Sequence, residues 1–302
     1  MWFTQNTKPK SKTKKMLKKQ SVKKSYGVAV CRFDVSSKCY EVLMIKKRYT
    51  YHYVEFVLGH YRRSDDEKLR HLFSNMSHEE KVTILSLDFG KIWYKIWLID
   101  PESCYGVQHK KLNPEELLRY NNCKKHFEKC FVQDNGEKLR QLINNSKCVD
   151  TIWEIPKGRR SATETALDCA LRETAEETGL HPEDYTLLLD IEPVMMASTD
   201  LGVQYESYYY IALINTPVQT DKVFKIDPLL DEEYWRIRKY SSQNVKLDFK
   251  NKHQVAEVVA LRWTNSEFMR IIAPLYYNTT KKIIRLLRQK QIGGFVGRSA
   301  PQ

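Results

Sequence analysis

The chain has 302 residues, a formal net charge of +13 and 42% hydrophobic residues, enough to bury one respectable core and a small second one. No apolar run approaches the roughly 18 residues of a membrane span, and the lysine-rich opening lacks the apolar segment that a secretory signal needs. The seven cysteines are odd in number and show no paired zinc-type spacing. Reduced thiols in a cytoplasmic protein are therefore expected, not a disulfide framework.

Residues 1–24 form the first segment. Lys8, Lys10, Lys12, Lys14, Lys15, Lys18, Lys19, Lys23 and Lys24 are spaced by Ser, Thr and Gln, and no acidic residue precedes Asp34. A stretch so charged and so poor in apolar residues reads as a flexible basic arm. Such an arm can hold RNA phosphates, with affinity that falls steeply with salt. It can equally be a solubilising tail or a nuclear-import signal.

Tyr26 to Phe33 and Tyr40 to Lys46 read as two strands of a hairpin joined by a polar turn from Asp34 to Lys38, and they open a core whose first part spans 25–60. Lys46, Lys47 and Arg48 then run into Tyr49, Tyr51 and Tyr53. Tyr51 is a candidate for stacking on a base, and Lys46 for meeting a phosphate.

Residues 61–148 read as an inserted all-helical subdomain. Asp65, Asp66 and Glu67 precede Leu69 and Leu72; a Ser77-to-Glu80 capping box precedes Val82, Ile84 and Leu85; Asn113-Pro114-Glu115-Glu116 precedes Leu117 and Leu118. Each is a helix-start pattern. Leu139, Leu142 and Ile143 recur at helical spacing near the end of the insertion. Phe89, Trp93 and Trp97 either form the core of this subdomain or offer a stacking surface for a base.

The second part of the core, 149–302, carries the most informative segment. Residues 158–180 read GRRSATETALDCALRETAEETGL. Ser161 and Glu164 have capping-box spacing, so a helix is expected just after Ser161. Ala166, Leu167, Ala170 and Leu171 supply its inward face, and Gly179 stands where a left-handed residue would close it. Glu173, Glu176 and Glu177 then project from one face. Carboxylates so close raise one another's pKa unless a cation sits among them. Three oxygen donors with room for water suit Mg²⁺ or Mn²⁺. An acidic stripe can also be an ordinary solvated face. Arg172 can pair with Glu176 one turn on, or fold back towards Glu164.

Gly158, Glu164, Arg172-Glu173, Glu176-Glu177, Gly179 and Leu180 together match the Nudix box, and by it the chain resembles the Nudix hydrolases. The resemblance implies an α/β fold, an α/β/α sandwich around a mixed sheet, here interrupted by the inserted helices. It also implies hydrolysis of a nucleoside diphosphate linked to another group, with divalent metal lowering the pKa of water and neutralising charge on the pyrophosphate. On that basis Glu173 and Glu176 are catalytic and bind metal with Glu177. The Gly158 carbonyl reaches the metal, and Glu164 supports Arg172 or reaches the metal through water. Thr174 departs from the family's usual aliphatic residue, and its methyl can still pack.

Trp153-Glu154-Ile155-Pro156-Lys157-Gly158, the inserted helices and the chain length resemble the mRNA-decapping branch found in large cytoplasmic DNA viruses. Lys157 then stands next to the polyphosphate, and Arg172 is a further candidate for substrate contact. After the box, Tyr185 to Ile191 and Glu206 to Ile214 read as strands, and a polar connection from about 216 to 251 as a lid or partner surface. Ala256 to Trp263 reads as the last strand. Glu257 at its start matches the extra carboxylate that several decapping-type members supply from beyond the box, as base or second-metal ligand. Lys281 to Arg288 forms an amphipathic pattern whose Ile284 and Leu287 face the core.

The activity expected is removal of the 5′ cap of mRNA, giving m7GDP and 5′-monophosphate RNA in the cytoplasm, the host's if the chain is viral. Hydrolysis of diphosphoinositol or dinucleoside polyphosphates is the alternative. An inactive scaffold that binds RNA or a partner is a third, and the complete carboxylate set argues against it.

Overall fold

The first hairpin forms where expected and is longer at its ends: β1 spans Lys23–Asp34 and β2 spans Cys39–Lys47, antiparallel from Cys31↔Val42 to Asp34↔Cys39. The computed structural model describes residues 22–97, 112–215, 244–245, 254 and 257–296. Most of the basic arm lies outside these. Its expected end at residue 24 shifts, because Lys23 and Lys24 belong to β1 and pair with Tyr205 and Glu206.

The sheet grows from both sides of this hairpin. β3 (Trp153–Glu154) pairs with β2, while β4 (Tyr185–Leu187), β5 (Val194–Asp200) and β1 all pair with β6 (Val203–Ile214). The β1–β6 pairing is parallel and the others are antiparallel. β7 (Asn244–Val245) and β8 (Val258–Thr264) complete the order β4-β6-β1-β2-β8-β7. β5 carries no strand expectation from the sequence, and it forms a tight hairpin with β6 through Leu201 and Gly202, both at positive φ. The connection between β6 and β8 lies almost wholly outside the described residues, and the lid reading with it.

Period-two alternation divides the strand residues between two cores. Val28, Val30, Leu43 and Ile45 face one side with Ala170 and Trp263. Ala170 belongs to α7 (Ala166–Thr178), numbered after the six helices of the insertion. Ala29, Cys31, Val42 and Met44 face the other side, against α8 (Ser266–Ile272) and α9 (Tyr277–Val296). α9 buries Ile284 and Leu287 as its pattern requires and adds Ile283, leaving Lys281, Lys282, Arg285 and Arg288 exposed. Helices on both faces of a mixed sheet give the expected α/β architecture.

Between β2 and β3 lie α1 (Tyr51–Val57), α2 (Asp66–Ser74), α3 (His78–Leu85), α4 (Phe89–Trp97), α5 (Pro114–Phe127) and α6 (Glu137–Asn144). Ser77–Glu80 and Asn113–Glu116 form the capping boxes foreseen, and Asp65 caps α2. A separate core fills this layer: Tyr53, Phe56, Tyr61, Phe73, Phe89, Trp93, Phe127 and Phe131 are buried with Leu69, Leu72, Leu139 and Leu142. Stacking of a base on Phe89 or Trp93 is thereby ruled out, since both rings are spent on packing. Leu117 and Leu118 do not join that core; both are exposed, and α5 docks through Cys123 and Phe127 nearer its other end. Among the described residues, no helix is long and apolar enough to cross a membrane.

Candidate active site

α7 begins after Thr165, not after Ser161. Thr165 and Asp168 exchange capping hydrogen bonds at the helix start. The Ser161–Glu164 exchange exists too, the Ser161 amide donating to Glu164 Oε2 at 2.9 Å, but it closes a turn in the preceding loop. Glu164 stays outside the helix because Arg172 grips its carboxylate through Nε and Nη2. At the other end Gly179 adopts φ 74° and its amide caps the Ala175 carbonyl, as expected.

Arg172 organises the outer half of the acidic cluster. Besides Glu164, its Nη1 lies 2.8 Å from Glu173 Oε1 and 2.9 Å from Glu176 Oε2. A planar fork of five donors serves three carboxylates in this way. Its hydrogen bonds hold the Glu164 carboxyl down to about 2. Arg172, expected to contact substrate, gives its side-chain donors to Glu164, Glu173, Glu176 and the Arg159 carbonyl. Glu164, offered as a metal ligand, likewise has both oxygens on Arg172.

The inner half is organised by Lys47. Glu177 is buried; its Oε1 accepts from Lys47 Nζ at 2.9 Å and its Oε2 from the Lys157 amide at 2.9 Å. Lys47 Nζ also lies 2.6 Å from Glu257 Oε2. Burial pushes the Glu177 carboxyl up to about 7 despite the pull of Lys47. Burial also raises the Glu173 carboxyl, with Glu176 and Glu257 adding to the rise against Arg172. Desolvation works against the Lys47 ammonium, yet Glu177, Glu154 and Glu257 keep it charged.

Glu257 therefore joins the box glutamates from just before β8, the strand paired with β2. β8 carries an extra residue opposite the Lys46–Lys47 step, where the register jumps from Ala260 to Val258. That irregularity follows directly on Glu257, whose carbonyl accepts from the Arg48 amide at 2.7 Å. Its side chain remains 58% exposed.

Lys46, the basic residue singled out beforehand, goes elsewhere: its Nζ pairs with Asp150 at 3.1 Å. Strand alternation explains the difference. Leu43 and Ile45 share the α7 face, and Lys47 continues that series, whereas Lys46 does not. The expected strand ended one residue short of the functional lysine.

Lys157 is also redirected. Its Nζ donates to Glu154 Oε2 at 2.6 Å and to Tyr51 Oη at 2.9 Å. Glu154 is almost wholly buried and also accepts from Tyr51 Oη at 2.7 Å and Tyr276 Oη at 3.2 Å. Lys157 is therefore an internal counter-ion locking the loop before the box, and its backbone amide is what touches the acidic cluster. Tyr51 anchors its phenol oxygen in this node while the residue as a whole stays 49% exposed. Its ring can still stack on a ligand. Glu154 and Tyr276 went unnoticed in the sequence: one looks like a strand glutamate and the other like a helix-flanking aromatic.

Gly158, expected to turn its carbonyl towards the metal with no side chain in the way, is tightly enclosed. Its carbonyl accepts from the Tyr26 amide at 2.9 Å and its amide donates to the Tyr26 carbonyl at 3.1 Å, so that carbonyl is tied to β1. A Cβ at this position would lie 1.9 Å from the Glu173 carboxyl carbon. The glycine makes room for the Glu173 side chain. Thr174 also does more than pack: its hydroxyl accepts from the Val28 amide at 3.2 Å and donates to the Ala170 carbonyl at 2.7 Å.

The donor set fits a hard divalent cation. Glu173, Glu176, Glu177 and Glu257 offer oxygens alone, and burial, with smaller contributions from neighbouring carboxylates, raises the carboxyls of Glu173 and Glu177. Added positive charge favours their ionised form.

The sequence matches the NUDIX domain over residues 130–267. It is 31% identical over 254 residues to the mRNA-decapping protein g5R of an African swine fever virus isolate from Kenyan pig, covering 83% of this chain and 89% of that protein. An isolate from Namibian warthog gives 30% identity over 254 residues, with the same coverage. Nudix hydrolases in general depend on divalent metal. With these relatives and this carboxylate geometry, the chain belongs to the Nudix hydrolase family.

Proposed function

We propose that this chain hydrolyses the 5′ cap of mRNA, releasing m7GDP and RNA with a 5′-monophosphate, with Mg²⁺ or Mn²⁺ as the metal. The observation that carries the reading is the joining of two carboxylate sets, Glu173 and Glu176 gathered by Arg172 and Glu177 and Glu257 gathered by Lys47. The choice of capped RNA is supported by kinship over most of the chain with proteins named for decapping.

Glu173, Glu176 and Glu177 would hold the metal, with Glu257 beside them. When bound, the metal lowers the pKa of water and offsets charge developing on the pyrophosphate. Arg172 holds Glu173 and Glu176 in place through its Nη1. Lys47 holds Glu177 against α7 and places Glu257 through its Oε2. The Glu257 carboxylate, held through Oε2 and 58% exposed, would take the proton from the attacking water. Tyr51 presents a ring for stacking on a base, fixed through its hydroxyl. The basic arm and the exposed cations of α9 supply phosphate contacts along the RNA body. This chemistry suits the cytoplasm of an infected cell and would open host messages to exonucleases.

Cap-labelled RNA tests the reading. Metal-dependent release of labelled m7GDP, suppressed by uncapped RNA, supports it. Faster turnover of a diphosphoinositol or dinucleoside polyphosphate would shift the assignment to small polyphosphates. Binding of RNA without turnover in either metal would reduce the protein to a scaffold.

A further inference from the structure

A second cluster of ligand-type side chains lies apart from the box. His52 is on α1, His71 is in the last turn of α2, and Asp200 ends β5. His52 Nε2 and His71 Nε2 are 3.2 Å apart. His71 Nε2 lies 2.6 Å from Asp200 Oδ1, and His52 Nε2 lies 3.5 Å from Asp200 Oδ2. One ligand atom from each residue falls within 4.8 Å of the others, the only such group of His, Cys, Asp and Glu found among the described residues.

We propose that His52, His71 and Asp200 form a site for a divalent transition metal of zinc's kind, clamping the helical layer to the β5–β6 hairpin. The geometry is the first reason. Around a tetrahedral ion with bonds of about 2.0–2.1 Å, neighbouring ligand atoms stand about 3.3 Å apart. Separations of 3.2 and 3.5 Å match that edge, and the 2.6 Å contact needs only a modest carboxylate rotation.

Proton accounting is the second reason. Each Nε2 carries either a hydrogen or a lone pair. If both carry hydrogens, the two N–H groups converge on each other at 3.2 Å. If His71 turns its lone pair to His52, that lone pair also faces the Asp200 carboxylate at 2.6 Å, and if His71 gives its hydrogen to Asp200, the His52 lone pair can only share that hydrogen while facing Asp200 Oδ2 at 3.5 Å. A cation that accepts from all three removes the conflict. Burial lowers the His52 pKa, with Asp200 working against it. The nearby charges Glu55 and Lys68 pair with each other at 2.9 Å and add no net charge.

Donor type separates this site from the box. Two imidazoles and one carboxylate suit zinc, cobalt or nickel, whereas an all-oxygen cluster suits Mg²⁺ and Mn²⁺. The three side chains are partly exposed, which leaves room for water as a fourth ligand. α1 also bears Tyr51, hydrogen-bonded to Glu154. A metal on His52 would therefore steady the helix that presents the proposed stacking ring.

The full-length protein, stripped with chelator and re-equilibrated, provides the test. Zn²⁺ content after gel filtration should be one ion per chain, and Zn²⁺ should raise the melting temperature. Co²⁺ in its place should give visible absorption bands of a tetrahedral nitrogen-and-oxygen site. His71→Ala and Asp200→Asn should each weaken zinc binding at least about tenfold, while a Glu173→Gln/Glu176→Gln variant retains it. Should His71→Ala not fold, His52→Gln, at a partly exposed position, serves instead. Wild-type protein that keeps no zinc overturns the proposal. So does zinc whose binding survives the histidine and aspartate changes, or is lost with the box glutamates.

Discussion

The acidic cluster has two halves, and they are built differently. Arg172 gathers Glu164, Glu173 and Glu176 on the outer side, where Glu176 is 32% exposed. Lys47 gathers Glu177 and Glu257 on the inner side, with Glu177 sealed between the helix and the loop before the box. The outer half consists of neighbours on one helix and its preceding loop, held by one guanidinium. The inner half joins α7, β2 and the start of β8, so it exists only when the sheet is complete. The first half is equipped to bind, and the second ties binding to the fold.

Removing a carboxylate from the outer half should have the largest effect on chemistry and little on stability. Glu173→Gln or Glu176→Gln is expected to lower turnover of capped RNA by at least about a thousandfold, with the urea midpoint almost unchanged. RNA affinity measured by filter binding should persist. A variant that unfolds as readily as it loses activity would erase the distinction between the halves.

The inner half should behave the other way round. Lys47→Met leaves Glu177 buried without its counter-ion, and breaking a buried pair from one side costs about 3–5 kcal/mol. The loss should depend on pH. The folded-state pKa of Glu177 already lies above its usual value, at about 7, and removing Lys47 raises it further. A carboxyl raised on folding contributes stability at low pH that disappears as pH rises through its folded pKa. Urea titrations should therefore show a small deficit in mild acid that grows above neutrality. A deficit independent of pH would remove Glu177 from the explanation.

Two glycines sharpen the comparison at the next level. Gly158→Ala would push a methyl into the Glu173 carboxylate, a side chain that can swing aside. The fold should survive while metal affinity drops about 10- to 100-fold, as when a group that orients a ligand is disturbed. Gly27→Ala would instead place a Cβ 1.9 Å from the Pro156 carbonyl oxygen, which is backbone and cannot yield so easily. Its expected effect is a loss of stability, read by thermal melting, with activity failing only as the protein unfolds.

How much of this could be read from the sequence follows the same divide. Glu173, Glu176 and Arg172 share a helix, so spacing alone places them on one face. The capping boxes at Ser77 and Asn113 are equally local and were visible. The start of α7 was misplaced because SATE and TALD are both capping patterns one turn apart, and tertiary capture of Glu164 by Arg172 decides between them. The burial of Lys157 was hidden because Tyr51 and Tyr276, whose hydroxyls enclose its pairing with Glu154, come from distant parts of the chain. Lys47 was within reach, since Leu43, Ile45 and Lys47 alternate on one face. The irregularity in β8 that accompanies Glu257 leaves no mark in residue spacing.

Thr174 offers the smallest and most discriminating test. The β1–β2 ladder begins at Cys31, so Val28 lies short of it, and the Val28 amide donates to the Thr174 hydroxyl in the buried layer between β1 and α7. Valine has nearly the same shape but no oxygen, leaving that amide unsatisfied at a cost of about 1–3 kcal/mol. Thr174→Val should therefore lower stability by that amount in urea titration while leaving turnover within about twofold. Alanine would lose the same hydrogen bond and open a small void besides, so it should be less stable than valine. If valine is neutral instead, Thr174 acts only through its methyl, and the helix–strand contact beneath the acidic cluster is purely apolar.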